Sequence, residues 1–394
     1  MYRITGILLI IFMGGAIAPE PTVRFRRYFV AAESYESVGV FDVDKNDTLD
    51  IVSGDFWYEG PRFRRRHLIG NQTRQDQYYD DFSTIPMDVN GDGRMDFVTG
   101  GWFGGKLRWL ENPGKNEQWP THHIANVGNV ETVRAWDVDG DGIPEIVPNN
   151  PKHPLKYLKR TAPNQFQTVV VAPTQDHGLG FGDINGDGRG DFIISNGWLE
   201  APRQSESRTS RSGVPASAVD SSADRTASAW TLHEDFKLGT ASVPIIVTDV
   251  NGDRLADLIV GQGHGYGLHW YEQTRDGSGK RGWTKHLIDD KNSQYHCLEW
   301  VDITGDGIPE LLTGKRFRAH NDNDPGSDDS VGLYYFTWDK AQKRFAKHDI
   351  AYGPAGVGKG TGIYFAIADL RKTGRKDIVV AGKDGLAVFF NEGK

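Results

Sequence analysis

The sequence predicts an all-β protein, a seven-bladed β-propeller whose blades each contain four strands. Three observations support this fold class. A short acidic motif recurs seven times along the 394-residue chain, and short apolar segments flank each copy. The composition agrees, because 48 Gly and an aromatic content of 11% suit many short strands joined by tight turns.

The motif is typified by "DVDGDGIPEIV", which begins at Asp137. An apolar segment precedes it, a second follows it, and then come an aromatic segment such as "LRWLENP" and a segment of the type "W-x-x-H-x-I". Four strands repeated about every 45 residues are typical of a propeller, whose blades bury their faces against their neighbours. The seven copies begin at Asp42, Asp88, Asp137, Asp183, Asp249, Asp302 and Asp369.

The two ends of the chain predict how the ring closes. The last segment, "GLAVFFNE", corresponds to the third strand of blade seven, and "VRFRRYFVAAE" near the N-terminus corresponds to a fourth strand. We therefore expect the N-terminal strand to complete the last blade, which removes the free sheet edges of an open ring.

Residues 19–394 are predicted to form this single propeller domain. Residues 1–18 contain Arg3, an apolar core and an Ala-x-Ala site, which together are typical of a signal peptide. This pattern predicts export to the periplasm, cell surface or medium; an uncleaved N-terminal anchor is the alternative. Two inserts are expected: a flexible Ser/Arg-rich segment at 203–228 in blade four, and a channel-mouth insert at 316–330 in blade six.

Charge and cysteine content narrow the possible partners. The net charge of −8 argues against a nucleic-acid partner. The single cysteine, Cys297, cannot form an internal disulfide. This does not exclude an exported protein, because metal ions can stabilise the fold in place of disulfides. No segment after the N-terminal one has the length and apolar character of a membrane span.

The repeated motif, called here the Asp loop, predicts structural Ca²⁺ sites. Oxygen side chains at positions 1, 3 and 5 and a Gly at position 6 suit calcium, but an EF-hand would need Glu at position 12 followed by a helix. Here the next acid stands at position 9 and a strand follows it, so the loop joins two strands and the sensor interpretation fails. The alternative is a hinge that needs no ion. The predicted ligands are Asp42, Asp44, Asn46, Asp50, Asp88, Asn90, Asp92, Asp96, Asp137, Asp139, Asp141, Glu145, Asp183, Asn185, Asp187, Asp191, Asp249, Asn251, Asp253, Asp257, Asp302, Asp306 and Glu310.

In these loops the chain resembles the FG-GAP/VCBS repeat family. That resemblance implies a seven-bladed propeller with metal loops between the first two strands of each blade. The seventh copy departs from the pattern, because Arg371 and Thr373 stand where ligands are expected. We therefore predict that the seventh loop binds no metal.

The Asp loops define one rim of the ring, the loop rim, and the first strands begin on the opposite rim. Six residues before the Asp of successive copies stand Glu36, Phe82, Glu131, His177, Val243, His296 and Ile363. Loops that leave the second strands add His264 and His320 on the same rim. We expect His177, His264 and His296 to hold Zn²⁺ or another divalent ion; the alternative is a set of unrelated loop histidines. Periodic positions on outer strands indicate structural roles for His67, His123, His286 and His348.

Aromatic residues around a polar pocket indicate a carbohydrate or keto-sugar partner, because aromatic rings pack on sugar faces. The segments "YYDDFSTIPMDVNGDG" and "KRFRAHNDNDPG" are also similar to the propeller domain of aldos-2-ulose dehydratase and its bacterial relatives. This second resemblance implies a lyase or dehydratase that performs β-elimination on an oxidised sugar with a metal ion. Two alternatives remain: a non-catalytic, calcium-stabilised binding or adhesion module, and a polysaccharide lyase that uses His and Tyr without zinc.

For the lyase, each candidate residue has an expected role. Glu131 or His320 is the general base, and Tyr79 or Tyr295 protonates the leaving oxygen. The residues expected to contact substrate are Asp81, Trp102, Trp198, Lys315 and Arg316.

Overall fold

The computed structural model describes residues 22–203 and 230–394. The predicted signal peptide and residues 204–228 of the predicted blade-four insert lie outside the described residues. The strands within them are β1 Phe25–Ala31, β2 Gly39–Phe41, β3 Asp50–Ser53, β4 Phe56–Tyr58, β5 Arg66–Leu68, β6 Arg74–Gln75, β7 Tyr78–Tyr79, β8 Ile85–Met87, β9 Asp96–Gly100, β10 Lys106–Leu110, β11 Thr121–Asn126, β12 Thr132–Trp136, β13 Glu145–Asn149, β14 Leu155–Ala162, β15 Gln165–Ala172, β16 Leu179–Gly182, β17 Asp191–Ile194, β18 Gly197–Glu200, β19 Thr231–His233, β20 Ile246–Thr248, β21 Asp257–Gly261, β22 Tyr266–Arg275, β23 Arg281–Ser293, β24 Leu298–Val301, β25 Glu310–Gly314, β26 Val331–Asp339, β27 Arg344–Gly353, β28 Phe365–Ala368, β29 Asp377–Val380 and β30 Leu386–Asn391.

These strands form seven four-stranded antiparallel sheets, which confirms the predicted fold class. Blades one to six are β2–β5, β8–β11, β12–β15, β16–β19, β20–β23 and β24–β27. Each Asp loop joins the first and second strands of its blade. A separate hairpin, β6–β7, lies between blades one and two and has no counterpart in the repeat. A 3₁₀ turn at Ala319–Asp322 lies in the blade-six insert, between β25 and β26.

Blade seven consists of β28, β29, β30 and the N-terminal strand β1. In the β1–β30 pair, Phe25 lies opposite Asn391 and Tyr28 lies opposite Val388. The predicted ring closure is therefore confirmed. A large apolar cluster at this seam includes Ile378, Val380 and Phe389, all at most 1% exposed, so the junction is packed like the other blade interfaces.

The second strands are buried on both faces, as expected for sheets stacked between neighbours. A repeated ring pair packs the outer strands, in which an aromatic residue of the third strand stacks on a histidine of the fourth. This supports the structural interpretation of the outer histidines, except that in blade two His122 takes the position expected for His123. The pairs are Trp57–His67, Trp109–His122, Trp198–His233, Trp270–His286 and Tyr335–His348, with centroids 4.1 to 4.5 Å apart.

Side chains of the first strands fill the centre of the ring. The guanidinium group of Arg134 lies 2.9 Å from Glu299, donates to the Val243 carbonyl at 2.7 Å and stacks on Tyr364. Arg134 is only 5% exposed. The ion pair of Arg134 and Glu299 thus occupies the middle of the ring. The candidate pocket lies above this ion pair, at one mouth of the ring. In the described ranges, no helix has the length and apolar character of a membrane span.

Candidate active site

A pocket of about 270 Å³ opens on the rim opposite the Asp loops. It combines an aromatic wall with charged and imidazole side chains, so it could hold a small, ring-shaped, polar molecule. Its lining residues are Tyr78, Phe82, Trp102, Phe103, Glu131, Arg316, His320 and Asn321.

Beside the pocket, four side chains bring their ligand atoms together within 4.8 Å: Glu131, His177, His264 and His296. We call them the histidine cluster. Glu131, His177 and His296 come directly before the first strands of blades three, four and six, and His264 follows the second strand of blade five. First strands begin where second strands end, so the antiparallel blades place all four residues at one mouth of the ring.

Hydrogen bonds orient two of the rings. His177 Nδ1 donates to the Ala241 carbonyl at 2.7 Å, and His264 Nδ1 donates to the Asp324 carboxylate at 3.1 Å. Both acceptors lack a proton to give, so each Nε2 of a neutral ring carries a lone pair. These two Nε2 atoms lie 2.9 Å apart, and His296 Nε2 lies 2.9 Å from Glu131 Oε1. His177, His264 and Glu131 therefore direct electron pairs to one point, beside which His296 Nε2 donates to Glu131 and would have to release its proton to bind a divalent cation.

The protonation states suit a cation as well. Burial and the neighbouring His177 lower the pKa of His264 to about 4, and burial lowers the pKa of His296 well below its ordinary value. Burial alone would raise the pKa of Glu131, but the adjacent imidazoles of His177 and His296 outweigh it and hold that pKa well below its ordinary value. At neutral pH His264 and His296 are thus neutral imidazoles and Glu131 is a carboxylate.

Arg316 lines the pocket and also neutralises two buried carboxylates. Its Nε lies 3.0 Å from Glu36 Oε1 and its Nη1 lies 3.3 Å from Glu131 Oε1. The residue is 2% exposed. Arg316 therefore fixes the orientation of Glu131, and because it also lines the pocket its contact with substrate stays a prediction.

Lys315 differs from the expectation. Its ammonium group donates to the carbonyl oxygens of Gly326, Ser327 and Asp329, so it holds the blade-six insert in place and does not reach the pocket. The same insert carries His320, whose Nδ1 donates to Asp324 at 2.9 Å and whose ring stacks on His264 at 4.4 Å.

The backbone of the insert is strained where it meets the pocket. Four non-glycine residues, Arg318, His320, Asn321 and Asp322, adopt left-handed φ angles between 47° and 64°. Such conformations cost on the order of 1–3 kcal/mol each and persist where surrounding contacts enforce them. One such contact joins Gln77 Nε2 to Asn321 Oδ1 at 2.7 Å and ties the insert to the β6–β7 hairpin.

Several residues in or beside the pocket were not predicted from the sequence, among them Tyr78 in its lining and Lys383 next to Tyr78. Tyr78 lines the pocket, and its buried hydroxyl lies beside the backbone N–H groups of His320 and Asn321. Lys383 places its ammonium group 3.5 Å from the centre of the Tyr78 ring and 3.7 Å from Glu36, and burial lowers its pKa to about 8. Tyr78 belongs to the hairpin that interrupts the repeat, so the repeat could not place it.

Four predicted site residues lie outside the pocket. Tyr79 packs on Tyr35, and Tyr295 is fully buried against Tyr334 between blades five and six. Asp81 is fully buried and accepts hydrogen bonds from Thr99 and Ser37. Trp198 stacks on His233 as one of the outer ring pairs. These positions contradict the catalytic and substrate-binding roles expected for the four residues, whereas Trp102 does line the pocket.

On the loop rim, three Asp loops bring carboxylates within 4.8 Å of one another: those of copies one, three and six. In copy three, the Lys159 ammonium group contacts both Asp139 and Asp141, so this loop holds a cationic group between its acids. In copy seven, Arg371 occupies the loop and bonds Asp377 at 3.1 Å. In both loops a basic side chain thus pairs with the acids.

The acid at position 9 of the Asp loop also accepts hydrogen bonds from the backbone. Asp96 accepts hydrogen bonds from the backbone N–H groups of Val89 and Asn112, and it is fully buried. Asp377 of copy seven likewise accepts from the backbone of Asn391, although its loop lacks the other ligands. The acid at position 9 therefore fastens the loop to the end of the third strand whether or not a metal binds.

The fold and its loops define the class of the protein, a β-propeller with acidic loops on one rim and a His/Glu cluster on the other. The FG-GAP-like repeat model matches residues 88–147 and 249–313, which contain the Asp loops of blades two, three, five and six. The chain thus carries FG-GAP-like repeats, as the sequence predicted. Comparison with curated proteins gives no sequence match.

Three solved structures illustrate the likeness in fold. BBS1N in complex with ARL6DN has 9% identity and a TM-score of 0.50 over 93% of this chain and 95% of that one, which shows a shared propeller fold. A lectin from Agrocybe aegerita that recognises non-reducing terminal N-acetylglucosamine has 15% identity, a TM-score of 0.47 and coverage of 95% and 92%. The exotype rhamnogalacturonan lyase YesX has 12% identity, a TM-score of 0.48 and coverage of 93% and 73%.

Proposed function

We propose that the pocket is the active site of a metal-dependent carbon–oxygen lyase that performs β-elimination on an oxidised sugar. One observation carries the proposal: three imidazole nitrogens and one carboxylate converge within 4.8 Å beside a pocket with an aromatic wall. Clusters of this kind suit a divalent metal, and elimination next to a carbonyl is chemistry that such an ion assists.

The histidine cluster would hold the metal through His177, His264, His296 and Glu131. Bound there, a divalent ion would polarise the carbonyl oxygen of the substrate. Four protein ligands fill a tetrahedral zinc ion, so substrate contact requires expansion to five ligands or an ion that accepts six. Zn²⁺ is therefore one candidate, and another transition metal of higher coordination number fits the same donors.

His320 is the proposed general base. Its Nδ1 donates to Asp324, so its Nε2 carries the lone pair, and its side chain is 53% exposed. Nε2 would remove the proton from the carbon next to the carbonyl. The electrons of that C–H bond then form the C=C bond as the neighbouring C–O bond breaks. Glu131, the alternative base, is engaged by Arg316 and the imidazoles.

Tyr78 is the proposed general acid and takes the role expected for Tyr79 or Tyr295. Its side chain lines the pocket, and the backbone N–H groups of His320 and Asn321 lie beside its hydroxyl. It would protonate the leaving oxygen, so that water or an alcohol departs. Burial raises the pKa of Tyr78 and so keeps the hydroxyl protonated, while the charge of Arg316 partly offsets this effect and the Lys383 ammonium group lies over the ring.

The aromatic wall is the proposed sugar platform. Trp102 and Phe103 are partly exposed at the pocket. An aromatic face of this kind packs against the C–H face of a sugar ring. The proposal also retains export from the cytoplasm and structural Ca²⁺ in the Asp loops of copies one to six.

Elemental analysis of the purified, mildly dialysed protein tests the proposal. We expect about one transition-metal ion per chain, lost in His177→Ala and retained in His123→Ala, whose imidazole bonds only Asn126 among the described residues. The wild type and His123→Ala should form an α,β-unsaturated product from keto-sugars, which ultraviolet absorbance detects. Calcium as the only bound metal, together with no turnover, would instead establish the binding-module alternative.

A further inference from the structure

A basic surface interrupts the acidic loop rim at the seam between blades seven and one. A groove of about 380 Å³ lies there, lined by Arg26, Tyr28, Arg62, Arg64, Arg371 and Phe390. We call it the arginine groove. It faces away from the histidine cluster, because Arg62 and Arg64 lie between the third and fourth strands of blade one and Arg371 lies in an Asp loop.

The charge of the seventh loop is opposite to that of the others. "DLRKTGRKD" carries four basic residues within the nine positions from Asp369 to Asp377, where other copies carry acids and glycines. Arg371 occupies the loop itself, while Lys372, Arg375 and Lys376 are exposed. A loop that has lost its cation ligands has thus become part of a cationic surface.

Two arginines of the groove are held in place. The guanidinium groups of Arg26 and Arg371 lie 4.6 and 4.7 Å from the Phe390 ring, and each bonds Glu392 at 3.1 Å. Phe390 and Glu392 therefore fix the direction of two forked donors. Guanidinium groups fixed in this way bind carboxylate or sulfate oxygens with little further loss of side-chain entropy.

The other two arginines are free. Phe63 is 2% exposed, in a left-handed conformation, and anchors the turn in the apolar core, so Arg62 and Arg64 on either side of it remain exposed. Neither guanidinium group has a carboxylate within 4.0 Å in the described ranges. Unpaired arginines at a groove on a chain of net charge −8 are unusual, because acids elsewhere on the rim could have neutralised them.

We propose that the arginine groove binds a short acidic oligosaccharide through its carboxylate or sulfate groups. The floor of Tyr28 and Phe390 offers an apolar face to a sugar ring, and the arginines flank it. The groove has a volume of only about 380 Å³, so it holds a short segment of a ligand. This confinement favours a short glycan over a nucleic acid. The proposal does not depend on the chemistry of the pocket.

Binding measurements with defined probes test it. Calorimetry at low ionic strength would compare a short oligogalacturonate, a heparin-derived oligosaccharide of similar length, and a neutral cello-oligosaccharide. We expect one or both acidic probes to bind, which distinguishes carboxylate from sulfate recognition, and the neutral probe not to bind. Binding should weaken as salt approaches about 0.15 M.

Two double variants make the test specific. Arg62→Ala/Arg64→Ala should weaken binding by about tenfold or more. Arg65→Ala/Arg66→Ala removes the same charge from the same turn, at residues paired with Glu59 and Glu33 outside the groove, and should change affinity less than about twofold. Equal losses in both variants, no binding of either acidic probe, or tighter binding of single-stranded DNA would each overturn the proposal.

Discussion

The Nε2 atoms of His177 and His264 lie 2.9 Å apart, while the Nδ1 atom of each ring donates to an oxygen that carries no proton. Two neutral rings held in this way direct their lone pairs at each other. Such a contact is unfavourable until a positive charge lies between the nitrogens. This geometry supports the proposal that a cation lies between the two rings, and a proton or a metal ion would each satisfy it.

Asp324 is expected to set the metal affinity of the histidine cluster through His264. Asp324→Asn should reduce transition-metal affinity by about 10- to 100-fold, because the carboxylate that fixes the His264 tautomer is lost. Competition with a chromophoric chelator measures this change. Asp322→Asn is the matched control, since Asp322 bonds Arg318 and not the cluster. Equal affinities in the two variants would remove Asp324 from the site.

Substitutions of Tyr78 and of its neighbour Tyr79 distinguish a catalytic role from a packing role. Tyr78→Phe should lower kcat for elimination by about 10²- to 10⁴-fold, because the leaving oxygen loses its proton donor, while metal content stays unchanged. Tyr79→Phe should leave kcat within about twofold, because Tyr79 packs on Tyr35 outside the pocket. Comparable losses in both variants would point to a disturbed hairpin and against a general acid.

Calcium should stabilise the propeller through copies one to six only. Chelation should lower Tm and added Ca²⁺ should restore it; a site at 100-fold excess of ion over Kd contributes about 2.7 kcal/mol. Asp302→Asn should reduce the calcium-induced rise in Tm. Asp369→Asn alters the same position of the seventh loop and should leave that rise intact. Calorimetry with and without Ca²⁺ measures this rise in Tm for each variant. An equal effect of both variants would contradict the assignment of calcium to copies one to six.

Asp81 should make the protein less stable as pH rises. Burial raises its folded-state pKa to about 6, despite hydrogen bonds from Thr99 and Ser37. The folded state therefore retains a proton that the unfolded state loses, and stability falls between about pH 4 and pH 6, on the order of 2–3 kcal/mol. Asp81→Asn should flatten this decline in denaturant titrations. An unchanged pH profile would show that Asp81 stays ionised at low cost.

The repeat explains how much the sequence could predict. Each first strand begins at a fixed distance before its Asp, so counting back six residues placed Glu131, His177 and His296 at one mouth. That count assumes a regular blade, and it cannot place residues of an inserted hairpin such as Tyr78. Trp198 was misplaced because "NGWLEAP" was not aligned with the third-strand segments that contain Trp109 and Trp270. That alignment would have predicted its ring pair.

Buried charge was the second feature that limited prediction of the site from the sequence. Arg316 was expected to meet substrate, but two carboxylates on separate blades, Glu36 and Glu131, face the same enclosed point. A buried carboxylate needs a paired charge, so the Arg316 guanidinium group forms ion pairs with both carboxylates. No local pattern shows this, because Glu36 and Arg316 are far apart in the chain and meet only when the ring closes.

The pairing of β1 with β30 has a consequence for biosynthesis. The strand at Phe25–Ala31 leaves the ribosome long before its partner at Leu386–Asn391. Through most of translation this arginine-bearing strand has no sheet to join, and its charges oppose premature pairing with other exposed edges. Completion of the ring is thus a late, long-range step, and a nascent chain that stalls before residue 386 would carry six potential blades and an open edge.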